Sequence, residues 1–381
     1  MTYGYDALNR LIRDGQPNQD TETLTYDRNG NRTAITDGIT STSSVYLPNS
    51  NQLSTLADST ISHDLAGNRT SDQNGNRTFE YNHAGRLFKM YESGTLIATY
   101  TYNYQGQRTR KVTASGTTVY HYDLNGSLIS ETDELGTPIR DVVYRKTVPI
   151  AQIDVGLTEF ITYLHSDHLG TPRRGTDENG IVVWSWDSDA FGAAVANDDS
   201  DGDGVRTVVN LRFPEQYYDE ETGLHYNYFR YYDPATGRYI TSDPIGLDGG
   251  LNTYLYVSAN PLKLIDPLGL LEVYGNWCGP NWTGGYSSPW DELTQSQQQN
   301  ALPPIDELDS CCSTHDRCHA SCRENNSCDG DKRSDCFQQC DRELASCAGN
   351  SGNDGFWSNR IEDWMEDSNP GPGPDNAFCN C

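Results

Sequence analysis

The chain has 381 residues, with 54 Asp and Glu against 27 Lys and Arg, a formal net charge of −27. That length allows about two or three domains, and the acidic balance argues against nucleic acid as a partner, because phosphate binding calls for a Lys/Arg surplus. No window approaches 18 consecutive apolar residues, which excludes a membrane-spanning helix, and the opening MTYGYDALNRLIRDG has no basic-then-apolar design, so no cleavable signal is visible. All 11 cysteines fall between Cys278 and Cys381. That is the density of a disulfide scaffold, so two different proteins are fused here.

The first 150 residues repeat. An aromatic or His is followed by Asp or Asn, with Gly or Asn four residues after the ring: Tyr5-Asp6…Asn9, Tyr26-Asp27…Gly30, His63-Asp64…Gly67, Tyr81-Asn82…Gly85, Tyr102-Asn103…Gly106 and Tyr122-Asp123…Gly126. Between the turns run alternating stretches such as 99–104 and 117–122, which read as strands of period two. Each unit is a short strand pair that stacks on its neighbours into a long antiparallel sheet.

This segment resembles the YD-repeat (RHS) family of large bacterial toxins, whose repeats wind a β-sheet into a hollow shell. The match continues through 163–173 and 211–217 and is strongest in Glu221–Pro234, Asp243-Pro-Ile-Gly-Leu247 and Ile265-Asp-Pro-Leu-Gly-Leu270. Residues 151–270 are therefore expected to be the core's C-terminal region. In the family the shell often cuts its own chain after that last Leu. The resemblance implies a cut after Leu270 by Asp243 and Asp266, with Arg230 assisting. Two carboxylates held close share a proton, one serving as base on water and the other as acid. The plainer reading of both Asp-Pro pairs is turn capping. Asp199, Asp201 and Asp203 before Gly204 sit like the first positions of an EF-hand loop, but Asn210 replaces the bidentate Glu. A solvated acidic loop is the favoured reading there.

After Leu270 the composition changes, and 271–381 is expected to be a separate domain. Cys311, Cys318 and Cys322 mirror Cys347, Cys340 and Cys336 about one centre, as two antiparallel elements in register require. Spacings of 7 and 4 put each trio on one helical face. Two helices are expected, about 308–322 and 334–348, stapled by Cys311–Cys347, Cys318–Cys340 and Cys322–Cys336, with a polar connection over 323–331. Zinc ligation is the rival for such spacings, but the adjacent Cys311-Cys312 and the register suit disulfides better. His315 then faces the partner helix near Asp341, as a base with its orienting carboxylate.

Three stretches, Tyr274–Gly279, Pro304–Cys318 with its Cys-Cys-Ser-Thr-His-Asp-Arg-Cys core, and Cys340-Asp341 through Cys347, resemble secreted phospholipase A2. The resemblance implies that His315 takes a proton from the attacking water and Asp341 holds its tautomer. Asp316 would bind Ca2+ together with the carbonyls of Trp277, Gly279 and Asn281, and the Gly279 amide would stabilise the oxyanion. It also implies a Cys278–Cys312 bridge. Pro280 stands in that loop without an N–H, and His319 stands where the family often has a Tyr supporting the Asp. Cys328, Cys379 and Cys381 are left unpaired by these assignments. Five Trp in the tail suit either a membrane–water boundary or ordinary packing.

The expected architecture is thus a β-rich YD-repeat (RHS) shell fragment followed by a small, disulfide-rich α-helical phospholipase A2-like domain. The expected function is a secreted or delivered polymorphic toxin whose tail is a calcium-dependent phospholipase A2. Its partners would be a phospholipid membrane surface, an immunity protein and secretion machinery, without nucleic acid. The alternative is a cell-surface adhesion protein with an inactive, disulfide-stapled tail.

Overall fold

Tyr and Asp recur together because each builds one half of a strand–turn unit. The Tyr hydroxyl donates to a carbonyl of an earlier strand: Tyr26 to Leu11 at 2.7 Å, Tyr81 to Arg69 at 2.7 Å, Tyr102 to Leu87 at 2.6 Å and Tyr122 to Arg108 at 2.8 Å. The neighbouring Asp caps the turn, the Oδ1 of Asp27, Asp64 and Asp123 each accepting two amides, two and four residues on. At the turn's fourth position Gly30, Gly67 and Gly126 have φ of 80, 87 and 94°. That is the left-handed region, where glycine carries no Cβ penalty.

The computed structural model describes residues 2–15, 20–156, 158–279, 282–286, 288–325 and 330–350. Among these, the repeats form two antiparallel meanders in which each strand pairs with the next. One has seven strands, from Thr2–Tyr5 to Ser59–Thr60, and the other thirteen, from Ser62–His63 to Val182–Ser185. The second sheet crosses residue 150 unbroken, Val148–Asp154 pairing with both Pro138–Arg145 and Phe160–Ser166. A four-stranded sheet follows: Tyr217–Asp219, Leu224–Asn227, Arg230–Asp233 and Arg238–Tyr239.

The four-stranded sheet packs its aromatics onto the thirteen-stranded one. Tyr217, Leu224, Tyr226 and Tyr231 share a core with Phe79, Leu87, Met90, Tyr100, Tyr120 and Leu128. Arg108 is fully buried in that core. Its charge is paired with Asp219 and its guanidinium lies 4.4 Å from the Tyr226 ring centre and 4.7 Å from that of Tyr120. A buried cation requires such partners, since desolvation alone would expel it.

The chain divides into two units, Met1–Glu272 and Val273–Cys381. The second is small, helical and rich in disulfides. Helix α1 (Gln295–Asn300) opens on a capping box between Thr294 and Gln297. Helices α2 (Glu307–Asn325) and α3 (Gly330–Asn350) extend beyond the expected limits, so residues 323–325 and 330–331 are helical rather than connecting loop. The bridges Cys311–Cys347, Cys318–Cys340 and Cys322–Cys336 lie across α2 and α3, and Cys278–Cys312 ties the preceding loop to α2. Cys328, Cys379 and Cys381 lie outside the described residues. No helix among the described residues is long and apolar enough to cross a membrane.

Candidate functional site

Two clusters of chemically capable side chains stand out, one in each unit. In the first, the strand Arg230–Asp233 presents Arg230 to two carboxylates, Asp243 at 2.9 Å and Asp266 at 3.2 Å. All three are buried, exposed by only 3, 6 and 3%. The Arg230 guanidinium also donates to the carbonyls of Gly269 and Thr253 and lies 3.6 Å from the Tyr239 ring centre. Asp266 accepts from the Leu270 amide at 2.9 Å and from the Tyr239 hydroxyl at 2.7 Å.

The Leu270 carbonyl belongs to the same place. A β-carbon on Gly249 would strike the Asp243 carboxylate and lie 3.1 Å from the Leu270 oxygen. Gly269 has φ of 68° and is pressed against the Asn227 carbonyl, so the chain turns there only as glycine. Burial pushes Asp243 up to about 6, with Arg230 opposing and Asp266 adding to the rise. Burial also raises Asp266, against Arg230 and the hydrogen bonds it accepts. One guanidinium facing two carboxylates leaves room for one proton on the pair. Tyr239 and Asn227, which donates to both the Tyr239 hydroxyl and the Asp266 carbonyl, escaped the sequence reading. They lie in the aromatic run 224–239 with no spacing to distinguish them from packing residues.

In the second unit α2 and α3 bring together His315, His319 and Asp341. His315 Nε2 and His319 Nε2 each lie 2.9 Å from the same oxygen, Asp341 Oδ1. Their ring centres are 4.2 Å apart. For His315, burial lowers the pKa but the neighbouring carboxylates of Asp316 and Asp341 outweigh it, and the net shift is upward. Asp341 is held well below the usual carboxylate range, the two imidazoles overcoming the effect of burial. An imidazole whose one nitrogen is fixed by a carboxylate presents the other as a proton acceptor. That second nitrogen, Nδ1, lies 3.7 Å from Asp316 Oδ1.

Asp316 accepts from Thr283 Oγ1 at 3.0 Å. Burial raises its pKa, more than Thr283 and His315 lower it. A carboxyl so placed would be relieved by a cation. The loop ahead of it is pinned by Asp309, fully buried, which accepts from the amides of Asn276, Trp277 and Ile305 at 3.0, 2.8 and 2.9 Å. Asp309 was missed in the sequence, although an Asp in the first turn of a helix is a ready amide acceptor. The Gly279 carbonyl accepts from the Trp282 amide, and a side chain at 279 would strike Val273. Asn281 lies outside the described residues. The carboxylates of Asp199, Asp201 and Asp203 converge within 4.8 Å of one another on an exposed loop.

The family model of the Teneurin YD-shell matches residues 1–260. The double-stranded DNA deaminase toxin A of Burkholderia cenocepacia is 31% identical over 71% of this chain and 21% of its own length. The tRNA nuclease WapA of Bacillus subtilis is 32% identical over 70% of this chain and 12% of its own. The toxin protein Tse5 of Pseudomonas aeruginosa is 44% identical over 29% of this chain and 8% of its own. The chain thus spans about a fifth or less of these relatives' lengths. Among solved structures, TcdB2-TccC3 matches with a TM-score of 0.54 at 23% identity, over 71% of this chain and 16% of that one, which speaks to the fold. The shell and the polymorphic-toxin context are thereby supported.

These relatives overturn two expectations. The activities in their names, a DNA deaminase and a tRNA nuclease, are enzymes acting on nucleic acid. They correct the assignment of the enzyme as a phospholipase A2, and that of a phospholipid membrane as partner with nucleic acid excluded. The physical reason is twofold. A net charge of −27 is summed over the whole chain, whereas the local field at a site selects its substrate. A His–Asp pair in turn selects water activation and leaves the bond attacked open.

Proposed function

Because this chain belongs to the Teneurin YD-shell family, we propose that it is part of a polymorphic toxin whose shell severs the chain after Leu270 and whose tail is a water-activating hydrolase. The proposal has two independent parts, one in each unit. In the shell, Asp243 carries the shared proton beside the Leu270 carbonyl, and ionised Asp266 serves as the base. Water adds to the Leu270 carbonyl carbon, its proton passes to Asp266, and the Asp243 proton reaches the departing Leu271 nitrogen as the C–N bond breaks.

In the tail, His315 Nδ1 takes a proton from water while Asp341 holds Nε2–H and steadies the imidazolium. The observation that carries this reading is the 2.9 Å contact of His315 with Asp341 across a pair of helices stapled by three disulfides. Asp316, with the carbonyls of Trp277 and Gly279, would hold Ca2+, an oxygen-seeking cation that supplies positive charge for the developing oxyanion. The four disulfides support a working state in an oxidising compartment or outside the producing cell.

Nucleic acid is the substrate class that the named relatives put first. The test is to incubate the oxidised chain, and its His315→Gln variant, with tRNA, double-stranded DNA and, separately, phospholipid vesicles. Strand scission lost in the variant is the expected result. Fatty-acid release with intact nucleic acid would keep the base and overturn the substrate. No hydrolysis by folded, disulfide-bonded protein would overturn the hydrolase itself.

A further inference from the structure

Orienting one catalytic imidazole takes one carboxylate, yet Asp341 receives two. His315 and His319 stand one turn apart on α2, and both Nε2 atoms converge on one Asp341 oxygen from α3. The three donor atoms lie within 4.8 Å of one another. They are held there from both sides: the Cys318–Cys340 bridge joins the residues next to His319 and Asp341, and the His319 ring stacks on Phe337 at 4.6 Å. The three side chains keep 19, 24 and 30% of their surface exposed, so a further coordination position faces water.

We propose that His315, His319 and Asp341 form a binding site for a borderline divalent cation, Zn2+, and that its occupancy switches the base off. Two imidazole nitrogens and one carboxylate oxygen suit Zn2+, which takes three protein donors and leaves a position open, whereas Ca2+ takes oxygens. A ligating His commonly directs its other N–H to a carboxylate, and Asp316 Oδ1 lies 3.7 Å from His315 Nδ1 on that side. The switch follows from the tautomer. Metal on Nε2 needs the lone pair there, so the ring's proton moves to Nδ1, the nitrogen that must accept a proton from water. The metal-bound ring therefore has no free acceptor. The switching half of this inference rests on His315 being the base; the binding half does not.

The test uses the full oxidised chain, freed of metal with EDTA and with thiols outside the four bridges alkylated. Zn2+ is titrated in competition with a chromophoric chelator, and Co2+ is added as a spectroscopic stand-in. The expected result is one Zn2+ per chain and visible Co2+ bands of a nitrogen-containing site. Affinity is expected to be at least about tenfold weaker in His319→Gln and in His319→Tyr, with the helical circular dichroism of both retained. Absence of saturable binding, or binding unchanged in both variants, would overturn the site. Hydrolysis that continues at saturating Zn2+ would overturn the switch. A metal-free chain that binds Zn2+ as expected but hydrolyses nothing would leave the site standing and count against the base.

Discussion

Replacing Asp243 with Asn keeps the side chain's shape and removes its charge. The consequence can be worked from the cluster itself. Arg230 is a single cation between two carboxylates in a pocket exposed by no more than 6%. A second negative charge there must share that one cation. Burial, eased by Arg230 and reinforced by Asp266, raises Asp243 from 3.8 to about 6. A rise of that size corresponds to about 3 kcal/mol. Between those two values the folded chain keeps a proton that the unfolded chain has lost, so stability falls as pH rises through the window and the loss is complete above about pH 6. Asp243→Asn should abolish cleavage and leave the 42.4-kDa chain intact. It should also flatten the shell's stability between pH 4 and 6, a gain of about 1–3 kcal/mol at pH 8 over the ionised side chain. Asp266→Asn should behave differently, because it weakens the acceptor for Arg230, Leu270 and Tyr239 together, at about 3 kcal/mol or more. Intact mass and urea denaturation at pH 5 and pH 8 measure both effects. Cleavage by Asp243→Asn at the parent rate, or an unchanged pH slope, would refute the reasoning.

Other outcomes follow from single contacts. Gly249→Ala drives a methyl group into the Asp243 carboxylate and toward the Leu270 oxygen, and should slow chain cleavage at least about tenfold in a time course on gels. His315→Gln should lower hydrolysis by about 10²–10⁴-fold. With His315 raised above 6.5 by its carboxylates, activity should rise with pH as the ring loses its proton. The stability given by the charged ring is present below 6.5 and lost as pH climbs through the raised value. Asp341→Asn should move the lower limb of the activity profile toward 6.5, read from rates between pH 5 and 9. Removing the Cys311–Cys347 bridge by double Ala substitution should cost the tail about 2–4 kcal/mol in denaturant titrations.

The sequence carried the repeat well, because its signals are local. A Tyr hydroxyl reaching the earlier strand, an Asp capping two amides and a glycine at positive φ all act within about 15 residues. What local spacing could not show is that the repeats split into two sheets between Thr60 and Ser62, or that the four-stranded sheet covers the aromatic face. The cysteine register placed His315 near Asp341 because bridged helices leave little freedom. Tyr239, Asn227 and Asp309 stayed hidden, since their roles depend on partners 12 to 39 residues away brought near by tertiary packing. The ends of α2 and α3 ran past expectation in part because Arg323, Glu324, Lys332 and Arg333 are good helix formers that read as polar loop, and helix limits are soft by a residue or two.

The tail's chemistry is tested most directly by running its reaction in ¹⁸O-labelled water. With tRNA or DNA as substrate, the expected result is hydrolysis products that carry one ¹⁸O at the cleaved ester, formed by the parent chain and lost with His315→Gln. Products without the label, or labelled products formed equally by the variant, would contradict a reaction in which His315 activates water.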